Sequence, residues 1–488
     1  MNNAAASLNS TAGAASIPQV YFWSGFGKGQ EKWPIPSTTL LVLFFLGGCG
    51  APLVGGATAL VLGFLVAAFF PSKQLRKFFS RGDMMSILSV TSGAMIVGNF
   101  DALGDILGNE TLRFSWVLLG FSALVIPVRI QRLRGRMGTC CLVIAVLVGF
   151  NVLTTFGNTE LVRAVEVNGS YLAAYLLIMI NLARQKTRDA FVFHLVLIMA
   201  VNCGFSLFEL LIPNNSVSIS SSKIGDETVR SAGIYANAIA SGLMAANTLL
   251  LVSICSTKTN PSAKEKLALF VFMGICGIGV LVTFSRSAAL CIFMAGVMAA
   301  YRLSNNKFGK LMQYAPFALG LMLLTFLGAG EYLSSRGGLK RDATKRYDMV
   351  KEVMQGDVGQ IWVALEQRMT AWGPSRKYWR RPKLTGHGFN ILVERQIFPP
   401  HNMIILILVE TGWIGLLLFI ATVSYLGGFG QWKITGQNLA LFASVMVPVL
   451  FITIESHALF KNRYFSIYMV MLGFTSSVLL QPGNAKYR

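Results

Sequence analysis

Residues 399–419 read PPHNMIILILVETGWIGLLLF. Two prolines bar a helix from running in from upstream, Asn402 is a residue type that starts one, and the apolar run from Met403 is long enough to cross a bilayer. A helix over 402–427 is therefore expected to span a membrane, with His401 where it meets water. The residues before it differ in kind. Arg368, Trp372, the cluster Arg376, Lys377, Arg380, Arg381 and Lys383, and the triplet Gly386-His387-Gly388 make a basic, aromatic, water-soluble segment suited to an anionic ligand.

The whole chain follows the pattern of the quoted helix. Of 488 residues 54% are apolar and 13% charged, and the mean hydropathy is +0.58, whereas ordinary soluble domains carry roughly a quarter charged residues. This composition excludes a soluble globular protein and implies an all-α polytopic membrane protein. Apolar runs over 38–50, 52–70, 84–100, 114–128, 137–156, 170–183, 190–211, 231–255, 267–283, 287–301, 311–329, 402–427, 438–454 and 464–480 predict about fourteen spans, with about twelve as the lower bound because the first pair and 170–183 are short. No internal repeat marks a duplicated transporter.

A formal charge of +21 raises the question of nucleic acid. The arrangement argues against it, because the basic residues fall in short clusters in alternate loops, such as Arg129/Arg132/Arg134/Arg136 and Arg302/Lys307/Lys310. The intervening loops are acidic or nearly neutral. By the positive-inside rule the basic loops and both termini lie in the cytoplasm, with roughly 22 Lys and Arg there against about 7 in the short outer loops.

The expected organisation is a disordered cytoplasmic tail over 1–37, a transmembrane bundle over 38–329, an extracytoplasmic loop domain over 330–401, C-terminal spans over 402–480 and a cytoplasmic tail over 481–488. In the large loop Asp342 and Asp357 are placed to cap two helices, the second ending at Gly373-Pro374. These helices suit either the membrane surface or the bundle. The seven cysteines lie in or beside apolar spans without metal-ligand spacing and read as packing residues.

Ionisable residues at a membrane edge are the natural chemical candidates, since charge at bilayer depth is costly. Arg286 stands at the outer hinge between two spans, Arg368 on the polar side of a loop helix, and Arg230 at the head of the stretch ending in Asn237. Each either anchors at the surface or grips a phosphate oxygen. His401 either caps and packs or takes a proton from a hydroxyl, which imidazole does near neutral pH. Arginine keeps its proton and suits a diphosphate leaving group instead. The outer loops hold no Asp-x-Asp, His-x-x-x-His or Cys-x-x-Cys, and no Gly-x-Ser-x-Gly elbow occurs, so neither metal-assisted chemistry nor a serine nucleophile is indicated. No cofactor is indicated either.

Four segments resemble the O-antigen polymerase and O-antigen ligase superfamily of bacterial envelope glycosyltransferases. They are Ser285-Arg286 at the start of a span, Arg368-x-x-x-Trp372 with Pro382-x-Leu384-x-Gly386-x-Gly388, His401-Asn402 followed after nine residues by Gly412-Trp413-Ile414-Gly415, and more weakly Arg230-x-x-Gly233 to Asn237. Ligases of the family tend to follow the last glycine with small polar residues. Here Leu416-Leu417 follow, which tilts the reading toward the polymerases.

The resemblance implies a GT-C-like glycosyltransferase of the bacterial inner membrane with its site facing outward, acting on a polyprenyl-diphosphate-linked glycan without nucleotide sugar. It implies that Arg286 and Arg368 hold the diphosphate and His401 activates the acceptor hydroxyl, with inversion at the anomeric carbon. Arg230, Asn237, Trp372, Arg376, Arg380, Arg381, His387 and Asn402 are the accompanying substrate-binding candidates. Other implied partners are membrane lipid and chain-length regulator and flippase proteins, with no nucleic acid. Polymerase and ligase are both compatible, and a lipid-linked oligosaccharide flippase is the alternative of another class. A transporter more typically places its charges near the bilayer midplane, whereas these gather at one face.

If the charge alternation is read correctly, single cysteines introduced over 330–401 in a cysteine-free background react with a membrane-impermeant thiol reagent from outside the cytoplasm. Labelling only after access is opened to the cytoplasmic side would invert the topology.

Overall fold

The computed structural model describes residues 36–50, 93–94, 96–97, 136–156, 161–162, 164–165, 168–169, 172, 175–176, 185–211, 233–235, 238–255, 262–283, 285, 288–289, 291–293, 295–296, 373–380, 383–397, 402–426, 471 and 473–474. Its regular elements are α1 (Thr38–Gly50), α2 (Arg136–Thr154), α3 (Gln185–Leu211), a 3-10 turn (Gly233–Tyr235), α4 (Ala238–Cys255), α5 (Ala263–Leu281), α6 (Arg376–Trp379), α7 (Ile391–Glu394) and α8 (Met403–Leu426). All regular structure among the described residues is helical. The expected spans over 52–70, 114–128, 311–329 and 438–454, the helices expected after Asp342 and Asp357, residues 1–35 of the N-terminal tail and the C-terminal tail lie outside them.

α3 is the central helix. From Phe191 to Cys203 every residue but the half-buried Phe193 is buried, as expected of a largely apolar helix at the centre of a bundle. It packs against α1, α4 and α5. Two contacts bring backbones together: a Cβ on Gly48 of α1 would collide with the Val201 carbonyl, and one on Gly204 of α3 would collide with the Phe45 carbonyl. Small residues at such crossings let apolar helices approach closely enough for dispersion to hold them.

The outward faces are apolar as well. α5 buries Ala268, Leu269, Phe272, Ile275 and Cys276 at helical spacing, yet Leu267 and Phe270 on other sides are exposed. Leu43 and Leu46 of α1, Leu142 and Leu153 of α2, and Leu417 and Ile420 of α8 are exposed too. Residues 190–209 and 403–425 are long and apolar enough to cross a membrane. Apolar residues on both the inner and outer faces are what a membrane protein requires.

Several boundaries differ from those expected from hydropathy. α5 starts at Ala263 rather than 267, because Ser262 and Glu265 form a reciprocal capping box: the Ser262 N–H donates to Glu265 Oε2 at 2.7 Å and the Glu265 N–H to Ser262 Oγ at 3.4 Å. α3 likewise begins five residues before the apolar run, at Gln185. Residues 161–169, read as a loop, are helical wherever described. The span expected over 231–255 is not one helix, since Gly233 takes φ 55° and α4 begins only at Ala238. The span expected over 402–427 is interrupted at Gly412, with φ 70° and ψ −166°.

Because Gly204 supports the α1–α3 crossing, Gly204→Val should overpack it and destabilise the fold by about 1–3 kcal/mol. Thermal unfolding in detergent measures this, and a wild-type melting temperature would remove the contact from the account.

Candidate functional site

The break in α8 organises its surroundings. In an uninterrupted helix the Glu410 carbonyl would accept the Ile414 N–H. Here Glu410 O accepts the Gly388 N–H at 2.9 Å, and the Ile414 N–H goes to Leu384 O at 3.1 Å. The Val409 carbonyl accepts the His387 N–H at 2.9 Å. Helical partners have thus been exchanged for loop partners, and the loop 383–390 replaces the missing turn.

The sequence permits this through residues that tolerate left-handed backbone. Gly386, Gly388 and Asn390 have φ of 75°, 96° and 64°, values open to glycine and, among other residues, most readily to asparagine and aspartate. Contact at the break is backbone on backbone. A Cβ on Gly412 would strike the carbonyls of Lys383 and Leu384, and one on Gly386 would strike the Glu410 carbonyl and the Gly412 nitrogen. Gly386-x-Gly388 and Gly412 are therefore two halves of one interface. Gly415, three residues on, leaves room for Thr411 of its own helix and Phe150 of α2.

Two further bonds fasten the loop. Asn390 N–H donates to Glu410 Oε1 at 3.0 Å, and Phe389 N–H donates to Thr155 Oγ1 at 3.2 Å. Thr155 follows α2, and its hydroxyl donates to the Asn151 carbonyl at 2.9 Å, leaving its lone pairs for Phe389. Every N–H from residue 387 to 390 thus has an acceptor on α8 or at the end of α2.

Beside this junction a narrow cleft opens between α2 and α8, bordered by Phe150, Asn151, Asn168, Glu410, Thr411 and Phe419. Asn151 Nδ2 donates to Asn168 Oδ1 at 2.8 Å, and Asn168 Nδ2 to the Ala164 carbonyl at 2.7 Å. The buried Asn151 Oδ1 has no partner among the described residues.

The loop carries a basic, aromatic surface. Arg376, Lys377, Arg380, Lys383 and Leu384 are exposed. Lys377 Nζ lies 5.0 Å from the centre of the Tyr378 ring, whose edge meets His387 with centroids 5.2 Å apart. Burial, then the nearby Lys383 ammonium, hold the His387 pKa below the ordinary histidine value. The imidazole is therefore neutral at pH 7, and stability linked to it falls as pH drops below that ordinary value.

A second cluster surrounds Gly233. Its N–H donates to Glu209 Oε2 at 2.8 Å, and a Cβ there would strike Ser206 Oγ and Asn202 Oδ1. Asn202 Nδ2 donates to Ser241 Oγ at 3.0 Å. The Tyr235 hydroxyl donates to the Val97 carbonyl. Neighbouring Gly242 faces Thr283 and Ala288, and Ser285 Oγ caps the following helix by accepting the Ala288 N–H at 3.3 Å. The segment around Gly233 and the step at Ser285 thereby meet across α4.

Of the residues singled out in the sequence, Arg376, Arg380 and His387 share one loop surface. Asn402 is occupied as the α8 cap, its Oδ1 accepting the N–H groups of Ile404 at 2.9 Å and Ile405 at 3.2 Å. Arg230, Asn237, Arg286, Arg368, Trp372, Arg381 and His401 lie outside the described residues. Glu410, Asn390 and Thr155 were not singled out. Glu410 had a signal, as the one charged residue in 403–426. Among the described residues no group of three or more His, Cys, Asp and Glu side chains could hold a metal ion.

Residues 268–420 match a family model described as O-antigen ligase. The interval takes in most of α5, Ser285, the loop 383–390 and the break in α8. Comparison of the chain with curated proteins finds no match.

Replacing Lys383 by alanine should raise the His387 pKa toward the ordinary value. Histidine-selective NMR, assigned with His387→Gln, reads the shift; an unchanged titration would leave burial as its whole cause.

Proposed function

We propose, for a chain whose residues 268–420 match the O-antigen ligase family model, that it transfers a polyprenyl-diphosphate-linked oligosaccharide onto a sugar hydroxyl, extending a bacterial envelope polysaccharide at the outer face of the inner membrane. The observation that carries this reading is the mating of two family-like segments, Gly386-x-Gly388 and Gly412-x-x-Gly415, at one broken helix inside the matched interval. Segments that resemble a family separately and pack on each other support the resemblance jointly.

In this reading His401, next to the capping Asn402, accepts the proton of the attacking hydroxyl. Arg286 and Arg368 hold the diphosphate, and Arg230, Asn237, Trp372, Arg376, Arg380, Arg381 and His387 line the approach. The hydroxyl oxygen bonds to the anomeric carbon as the bond to diphosphate breaks, so configuration inverts. Placing the reactants and stabilising leaving-group charge supply most of the acceleration. The reaction is metal-independent, consistent with outer loops that lack Asp-x-Asp, His-x-x-x-His and Cys-x-x-Cys. A chain-length regulator and a flippase are the implied partner proteins. The description of the matched family favours a second reading, transfer of the glycan to a lipid A core, while Leu416-Leu417 favours polymerisation.

The assay is purified protein in lipid with a lipid-linked donor, following chain growth against transfer to a lipid acceptor. His401→Ala should lower the rate by roughly a hundredfold or more, the usual share of a general base. Chelator should leave it unchanged. Full turnover by His401→Ala, or activity lost to chelator and restored by a divalent ion, would overturn the mechanism.

A further inference from the structure

Two consecutive residues of α4 each meet a different segment outside the helix. Ser241 packs on the stretch that follows Arg230: its Oγ accepts from Asn202 Nδ2 at 3.0 Å and would lie 3.0 Å from a Cβ on Gly233. Gly242 meets the turn that contains Arg286, where a Cβ would fall 2.6 Å from the Ala288 Cβ and 2.9 Å from Thr283 Oγ1. Neither neighbour can swing aside. Thr283 is β-branched, and its hydroxyl donates to the Val280 carbonyl at 2.7 Å while accepting the Ser285 N–H at 3.4 Å. Ala288 has no side-chain torsion to adjust, and its N–H is held by Ser285 Oγ at 3.3 Å. Thr283, Ser285 and Ala288 are all buried. A methyl group at position 242 would therefore have to move backbone. Restoring ordinary carbon–carbon contact, about 3.5–4.0 Å, requires α4 and the turn to part by about 1 Å.

We propose that Gly242 is a positioning residue: without a side chain there, α4 is thin enough to hold the segment after Arg230 and the turn containing Arg286 at one fixed spacing. Ser241 and Gly242 stand about 100° apart around the helix, so the two segments pack on adjoining sides of a single turn of α4. Thickening on the Gly242 side displaces the Arg286 turn and leaves the Ser241 contact in place. The consequence for the substrate rests on the transferase reading above, in which Arg286 holds the diphosphate; the packing contact does not. Alanine is a better helix former than glycine, so a loss on Gly242→Ala cannot be ascribed to helix propensity and isolates the close approach.

The test uses full-length protein in lipid with a lipid-linked donor, comparing wild type with Gly242→Ala, Ala288→Gly, the double variant and Gly48→Ala. Gly48, where an added Cβ would collide with the Val201 carbonyl, represents tight packing away from the turn. At a temperature at which every variant is folded, Gly242→Ala should lower the transfer rate by about a hundredfold, the cost of a misplacement near 1 Å. Ala288→Gly removes the nearest obstructing atom, so the double variant should recover at least about tenfold of that loss. Gly48→Ala should lower the melting temperature without a comparable loss of rate. The melting temperatures should show the same coupling, with the double variant melting higher than the two single shifts add up to. A wild-type rate in folded Gly242→Ala, or no recovery in the double variant, would overturn the proposal. So would an equal rate loss in Gly48→Ala, which would reduce Gly242 to general packing. If Gly242→Ala alone does not accumulate, the double variant is read against Ala288→Gly: a rate within about tenfold supports the proposal, and a folded but inactive double variant overturns it. A wild-type protein that transfers no glycan would sink the proposed function, while the coupling in melting temperature would still decide whether positions 242 and 288 meet.

Discussion

The exchange of backbone hydrogen bonds at residues 384–388 and 409–414 is the constraint on which the site depends. Breaking α8 at Gly412 strips the Val409 and Glu410 carbonyls and the Ile414 N–H of their helical partners, and each such buried group left unpaired costs about 1–3 kcal/mol. Solvent cannot pair them inside an apolar bundle. The loop supplies all three partners, so the break and the loop are stable only together. Either segment alone would be an irregular stretch of backbone with nowhere to satisfy its polar groups.

The second cluster repeats the solution with other residues. A positive-φ glycine, Gly233, enters beside a helix, its N–H is taken by the buried carboxylate of Glu209, and hydroxyl and amide side chains of Ser206, Asn202 and Ser241 fill the space a Cβ would occupy. In both places a carboxylate on a long apolar helix holds the amide of a left-handed residue. Local backbone strain of this kind persists where surrounding contacts over-determine it, which is commonest at functional sites.

How much of this could be read in the sequence depended on the kind of signal. Helices such as α1 and α2 follow hydropathy within a residue or two, because burial of an apolar run depends on composition alone. α5 began earlier than its apolar run because a polar capping box, Ser262 with Glu265, extends a helix without adding hydrophobicity. The break at Gly412 was hidden for the opposite reason: the run 403–426 is apolar on both sides of it, and hydropathy carries no information about φ. Gly412 and Gly415 could be read as helix-contact residues, which holds for Gly415 against Phe150 but not for Gly412, whose task is conformational. Glu410 was legible as a lone charge, but its bond to the loop is with a backbone amide, which leaves no mark in side-chain sequence. Asn402 read as a helix cap correctly, since capping is a local preference.

The bond from Phe389 to Thr155 joins residues 234 positions apart, and that separation bears on the order in which the protein is made. α2 has left the ribosome long before the loop is synthesised, so for most of translation the Thr155 hydroxyl has no loop amide to accept. The loop in turn cannot settle until α8, made after it, has emerged and presented the Glu410 carbonyl. The junction is therefore among the last features the nascent chain acquires, and a chain released before α8 carries the earlier helices without it. Long-range closure of this sort is slow relative to helix formation, which makes the docking of one short loop the step that separates a folded bundle from a finished site.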